Sequence, residues 1–183
     1  MRRLRAGIQM LRKFFYVAAF TAAVCFTATA QSPSLSPTQS AKFSLADIAG
    51  EWTYRSFHNR PETVDGDAEK ALALIFAEAA MSFEAPSGST LKGKIDWPGG
   101  GLDLQGAIRP AAEADTFVID LIGAGRPGTS TAGWEYDYFA QLAHRWPTGV
   151  NQHPALVGSV LRAKPHGSAA AGYVASFIAV KRP

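Results

Sequence analysis

Hydroxyl, imidazole and amide side chains recur at close spacing near the start of the sequence. The stretch GEWTYRSFHN places Tyr54, Ser56 and His58 two residues apart, with Asn59 directly after them. A hydroxyl near an imidazole is the beginning of a nucleophile–base pair, and Asp96 is a candidate third member. The sequence contains neither a nucleophile-elbow motif nor HExxH. Binding is therefore favoured over catalysis, and we predict no catalytic residue.

Aromatic side chains alternate in a second stretch, WEYDY, which contains Trp134, Tyr136 and Tyr138. Successive side chains of a β-strand point to opposite faces, so these three rings would share one face. Trp97 and Tyr173 stand at the ends of other strand-like segments. Aromatic rings with a few polar groups are typical of small-molecule sites, but inward rings also fill protein cores. Both interpretations remain open from the sequence.

The elements that must position these side chains are short segments of alternating apolar and polar residues, separated by turns rich in Gly and Pro. The eight predicted strands are Gly50–Phe57, Leu74–Glu84, Thr90–Trp97, Leu102–Arg109, Phe117–Ile122, Trp134–Leu142, Ala155–Arg162 and Tyr173–Lys181. Residues from Asp67 onward favour a helical turn before the second strand. Eight strands joined by short loops close most simply as an antiparallel up-and-down barrel, which can hold one small ligand. The predicted fold class is all-β.

Up-and-down topology predicts which residues meet at one open end of the barrel, here called the mouth. The residues expected at the mouth are His58, Asn59, Arg60, Trp97, Arg126, Trp134, His166 and Tyr173. Those expected at the opposite end, the floor, are Trp52, His144, Trp146 and His153. Two imidazoles at each end lack a third ligand, so neither a metal site nor a cofactor is predicted.

The first thirty residues have the pattern of a bacterial secretory signal. Five basic residues precede an apolar run from Phe14 to Phe26, and small residues follow at Ala28 and Ala30. The predicted division is a cleaved signal over 1–30, a flexible Ser/Pro-rich lead-in over 31–42 and a barrel domain over 43–183. We expect a periplasmic or secreted protein without a membrane span in the mature chain.

Removing this leader changes the charge of the protein. The whole chain has 18 basic and 15 acidic residues, and the leader holds five of the basic ones and none of the acids. The mature chain then has 13 basic and 15 acidic residues, a net charge of −2, which argues against a nucleic-acid partner. The only cysteine, Cys25, leaves with the leader, so neither a disulfide nor a thiol nucleophile is expected.

Two motifs resemble the calycin barrels, the lipocalins and avidins. Gly50-x-Trp52 is similar to the start of the first strand in both. GEWTYRSFH as a whole is similar to the first avidin strand, and TSTAGWEYDY to the start of the sixth avidin strand. The resemblance implies a barrel that Trp52 plugs at one end and that opens to a ligand at the other. Avidins have a biotin-binding Asn where Tyr54 stands, and a strand-seven Trp that ALVGSVLR lacks. These departures count against biotin.

The last two predicted strands, 155–162 and 173–181, are apolar on both faces, which favours a hypothesis of self-association. The sequence predicts an exported protein that binds a small apolar or aromatic molecule. Two alternatives remain: a barrel enzyme of the cyclase or isomerase type, and a periplasmic protein-interaction or inhibitor module, since small inhibitor barrels also begin with Gly-x-Trp.

Overall fold

The computed structural model describes residues 44, 47–61, 63–111, 116–143 and 152–183. All of them belong to one compact unit, Pro37–Pro183. The predicted signal over 1–30, the lead-in over 31–42, and the floor residues His144 and Trp146 lie outside the described residues. Within the described part of the chain, no helix has the length and apolar character needed to cross a membrane.

Eight antiparallel strands form a closed barrel in which each strand pairs with its neighbour in the chain and the last pairs with the first. The strands are β1 (Gly50–His58), β2 (Ile75–Phe83), β3 (Thr90–Trp97), β4 (Gly100–Pro110), β5 (Phe117–Gly125), β6 (Glu135–Leu142), β7 (Ala155–Arg162) and β8 (Val174–Lys181). The predicted all-β, eight-stranded antiparallel barrel is confirmed. The predicted bounds hold for β3 and β7 and differ by at most three residues at any end of the other strands.

A short helix, α1 (Ala68–Ala73), precedes β2, where the sequence favours a helical turn. The carboxylate of Asp67 caps the helix by accepting hydrogen bonds from the backbone N–H groups of Glu69 (2.9 Å) and Lys70 (3.2 Å). The alternating pattern that begins at Ile75 then continues as a strand. Local helix propensity therefore accounts for α1, and burial of alternate side chains accounts for the strand β2.

Alternation along each strand separates the core from the surface. In β6, Tyr136, Tyr138, Ala140 and Leu142 are buried, whereas Asp137, Phe139 and Gln141 are exposed. At the floor, Trp52 is fully buried and its Nε1–H donates to the carbonyl of Ile48 at 2.9 Å. Trp52 therefore closes the floor.

The barrel wall is incomplete at the mouth between β2 and β3. The β2–β3 ladder joins only Ala80–Phe83 to Gly93–Asp96, so residues 75–79 of β2 extend past it. β3 ends at Trp97, and the next residue, Pro98, has no N–H to continue the ladder. Ala77, Ala79, Trp97 and Pro98 therefore border an opening that leads inside.

Candidate ligand-binding site

A cavity of about 450 Å³ occupies the mouth half of the barrel. Its walls combine aromatic rings, small and branched apolar side chains, one arginine, one glutamate and one histidine. The lining residues are Tyr54, Phe76, Ala77, Glu78, Ala79, Ile95, Trp97, Pro98, Leu102, Trp134, Tyr136, Tyr138, Val160, Arg162 and His166. They come from six of the eight strands and from three loops at the mouth, so the closed barrel is what assembles them.

Five of the nine predicted site residues line this cavity: Tyr54, Trp97, Trp134, Tyr136 and Tyr138. The indole rings of Trp97 and Trp134 stack with their centroids 6.3 Å apart and their planes 24° from parallel. Deeper in the barrel, Tyr54 and Tyr138 meet edge to face at 6.3 Å. The cavity thus has a stacked pair of indoles at its opening and phenols at its base.

His58 and Tyr173 lie beside the cavity without lining it. Nδ1 of His58 is hydrogen-bonded to the hydroxyl of Tyr173. Both rings pack on Phe76, which does line the cavity, with centroid distances of 5.3 Å for His58 and 5.5 Å for Tyr173. These two predicted residues therefore act on the cavity wall through Phe76.

Ser56 and Asn59 are not brought to the cavity. Ser56 is fully buried, and its hydroxyl donates to the carbonyl of Ala77 at 3.4 Å, next to an irregularity in the β1–β2 register. Asn59 follows the end of β1 and is exposed, where its Oδ1 accepts a hydrogen bond from the Ser176 hydroxyl at 2.7 Å. Ser56 has the inward orientation that alternation predicts and Asn59 has its predicted place after β1, but neither side chain lines the cavity.

The candidate triad does not assemble. Asp96 accepts a hydrogen bond from Arg126 at 2.5 Å, whereas the Ser56 and His58 side chains bond elsewhere. Arg126 also binds Asp103 at 2.6 Å, and this bond is the main cause that raises the pKa of Arg126. Arg126 lies in the β5–β6 loop at the mouth, as predicted, and its guanidinium is tied to carboxylates on the outward side of β3 and β4.

Two residues of the cavity wall, Phe76 and Arg162, were not singled out from the sequence. The guanidinium carbon of Arg162 lies 5.8 Å from the ring centroid of Phe76, 5.9 Å from that of Tyr136 and 5.4 Å from that of Tyr173. Alternation from the buried Val160 places Arg162 on the inner face of β7. That signal was present in the sequence but was obscured by the apolar character of the rest of the strand.

His166 forms the outer layer of the stacked rings. Its ring lies 3.8 Å from the Trp134 ring between centroids and 13° from parallel, and its Nε2 is 2.7 Å from the Tyr136 hydroxyl. Nε of Arg162 also donates to that hydroxyl, at 3.3 Å. The sequence predicts that His166 lies in a loop at the mouth but does not identify it as a site residue.

The loop between β5 and β6 sets the position of Trp134 through its backbone. The N–H of Gly125 donates to the carbonyl of Trp134, and the N–H of Trp134 donates to the carbonyl of Thr131, each at 2.9 Å. The buried hydroxyl of Thr131 donates to the carbonyl of Gly101 at 2.7 Å. A Cβ atom at Gly125 would stand 1.6 Å from the Thr131 carbonyl oxygen, so only glycine fits there.

Burial controls the ionisation of the cavity groups. It raises the pKa of the Tyr54 and Tyr138 hydroxyls well above 10, so both remain neutral hydrogen-bonding groups. Burial also lowers the pKa of His166 below 6.5, with a smaller contribution from the charge of Arg162. Within the described ranges, no three His, Cys, Asp or Glu side chains are grouped to hold a metal ion.

Comparison of the chain with protein-family models, with curated proteins and with solved structures finds no match. The assignment of the fold therefore rests on the strand order and register of this chain.

Proposed function

We propose that this protein is an exported, calycin-like barrel that binds one small apolar or aromatic molecule in its mouth cavity. The observation that carries the proposal is the stack of the Trp97, Trp134 and His166 rings beside the opening between β2 and β3. The cavity volume of about 450 Å³ lies within the range of about 300–1,000 Å³ that is usual for small-molecule sites.

The avidin-like and lipocalin-like character of the proposal rests on the Gly-x-Trp start of β1 and on the closed eight-strand barrel. Tyr54 lies in the cavity wall at the position where avidins have an asparagine for biotin, and β7 (ALVGSVLR) lacks the strand-seven tryptophan of avidins. We therefore propose a ligand other than biotin. Export is proposed from the basic and apolar leader over residues 1–30.

Self-association through β7 and β8 is part of the proposal. The outer faces of these strands carry no charged side chain; they present Val157, Ser159, Leu161, Val174, Ser176, Ile178 and Val180. Val174 is 44% exposed and Ile178 is 38% exposed, next to Phe139 at 49%. Charged side chains stand on the outer faces of β1, β3 and β4 instead, so the apolar wall is confined to one side of the barrel.

The self-association is tested by sedimentation of the protein at micromolar concentration. We expect a mass greater than that of one chain, and a monomer for Ile178→Lys, because the substitution places a charge at the centre of the apolar wall. A monomer of the unsubstituted protein would refute this part of the proposal.

Ligand binding is tested by native mass spectrometry of the purified protein, followed by titration with the molecule that copurifies. Trp134→Ala should abolish the change in tryptophan emission on binding, and Trp52→Phe, at the floor, should keep it. Turnover of the bound molecule that depends on His58 would support the enzyme alternative instead. If the aromatic side chains only fill the barrel interior, neither binding nor turnover will be found. Trp134→Ala and Trp52→Phe would then affect stability alone.

A further inference from the structure

Arg162 ends β7 at the wall of the mouth cavity, where its guanidinium lies 5.4–5.9 Å from the centroids of three aromatic rings. The face of an aromatic ring attracts a cation at this distance. The rings therefore hold the positive charge in place beside the cavity, without neutralising it.

The hydrogen bonds of Arg162 leave much of its binding capacity unused. An arginine has five N–H donors. Nε donates to the Tyr136 hydroxyl at 3.3 Å and Nη1 donates to the Ala170 carbonyl at 3.0 Å, which leaves three donors without an acceptor in the described part of the chain. By contrast, Arg109 and Arg126 each pair with a carboxylate on the outer surface.

No other side chain of the cavity wall, as far as the structure describes it, balances this charge. Glu78 borders the cavity, but its carboxylate is ion-paired with Arg55. His166 is neutral at pH 7 because burial and the Arg162 charge lower its pKa. The cavity thus combines aromatic surface with one uncompensated cation.

We propose that the ligand is a planar aromatic molecule with a carboxylate group, whose oxygens bind the unused donors of Arg162. The inference rests on the proposed function, because it names the ligand class of the same cavity. The planar fork of a guanidinium matches the two oxygens of a carboxylate. The aromatic part of the ligand would lie against the rings that line the same cavity, Trp97 and Trp134 among them.

The test compares three probes of one shape by isothermal titration calorimetry: 1-naphthoate, the neutral 1-naphthamide and the cationic 1-naphthylmethylamine. We expect the carboxylate to bind about tenfold or more tightly than the amide, which is the usual effect of a hydrogen bond to a charged group. The amine should bind most weakly, because it brings a second positive charge to Arg162. The advantage of the carboxylate should shrink as salt is added.

Substitutions of Arg162 test whether the preference for the carboxylate depends on this residue. Arg162→Gln should reduce the affinity for naphthoate to that for the amide, whereas Arg162→Lys should keep part of the difference. Arg109→Gln removes one positive charge from an exposed ion pair near the floor end and should change neither affinity. The comparison of probes on the unsubstituted protein stands even if an Arg162 variant folds poorly.

Two results would overturn the inference and are distinguishable. Equal affinity for naphthoate and naphthamide would refute the carboxylate requirement and leave the proposed binding function intact. Binding of none of the three probes would refute the inference and would also count against the proposed function.

Discussion

Trp134 and His166 stack face to face, with ring centroids 3.8 Å apart and planes 13° from parallel. The imidazole is held from a second side by the Tyr136 hydroxyl, 2.7 Å from Nε2. Two residues that are 32 positions apart in the sequence thus form one side of the cavity opening. The indole consequently lies close enough to sense whether the imidazole is protonated.

Tryptophan emission should fall as His166 takes up a proton. Its pKa is lowered from 6.5 by burial and then by the charge of Arg162, so the midpoint of the change should lie below pH 6.5. His166→Gln should remove the transition and His58→Gln should keep it, while Arg162→Gln should move the midpoint upward. A midpoint at or above 6.5 in the unsubstituted protein would contradict the stacked, partly buried placement.

The same shift has a consequence for stability. Since the folded-state pKa of His166 lies below the unfolded value, the unfolded chain takes up the proton first. The contribution of His166 to the free energy of unfolding should therefore be constant above about pH 6.5. It should decrease as the pH falls from there through the folded-state pKa. Urea unfolding at several pH values measures this decrease, which should be smaller in His166→Gln.

Alkaline pH should unfold the barrel through its buried phenols. Burial raises the pKa of Tyr54 and Tyr138 above the ordinary value of 10.0. Their contribution to stability is present below pH 10 and is lost as the pH rises further, because the unfolded chain releases the protons more readily. Phenolate absorbance of these residues should develop together with loss of the β-sheet circular dichroism, and Tyr138→Phe should move unfolding to higher pH. Ionisation of both phenols in a barrel that remains folded would refute their burial.

Trp52→Ala should destabilise the barrel by about 3–5 kcal/mol, the usual cost of removing a buried tryptophan side chain. Trp52 is fully buried, packs edge-on against Phe83 at 6.3 Å and donates to the Ile48 carbonyl. Trp52→Phe keeps most of the apolar volume and should cost less. Urea unfolding gives both values, and a loss below about 1 kcal/mol for Trp52→Ala would show that Trp52 does not plug the floor.

The strands were predictable from the sequence because nearly every one has a clear alternation between turns that contain Gly or Pro. β3 shows this directly, since its predicted and observed bounds agree. The same alternation predicted that Tyr136 and Tyr138 point inward from β6.

Other features depend on contacts that the strand pattern does not signal. Ser56 points inward as predicted, but its hydroxyl bonds to the Ala77 carbonyl, and Asn59 bonds to the Ser176 hydroxyl at the exposed end of β1. Arg162 was not predicted as a site residue because the rest of β7 is apolar and an inward arginine opposes the usual rule for barrel cores. Aromatic rings and two hydrogen bonds stabilise it there. The gap beside Pro98 depends on how far two neighbouring strands extend.

Gly125→Ala should disturb the mouth through the backbone that carries Trp134. The new Cβ would stand 1.6 Å from the Thr131 carbonyl oxygen, so the β5–β6 loop must move. We expect a loss of stability of more than about 1 kcal/mol and a shifted tryptophan emission spectrum. Ala124→Ser, at the exposed neighbouring position, is the matched control and should change neither. Native stability and emission for Gly125→Ala would contradict the packing of this loop.

The most direct measurement of the central claim is the NMR spectrum of the indole N–H groups during titration with a bound aromatic molecule, 1-naphthoate in the first instance. If the mouth cavity is the binding site, the Nε1–H resonances of Trp97 and Trp134 should shift together and saturate at one molecule per chain, while that of Trp52 stays in place. A saturating shift of Trp52 alone, or no shift of Trp97 and Trp134 at saturation, would contradict a ligand site at the mouth.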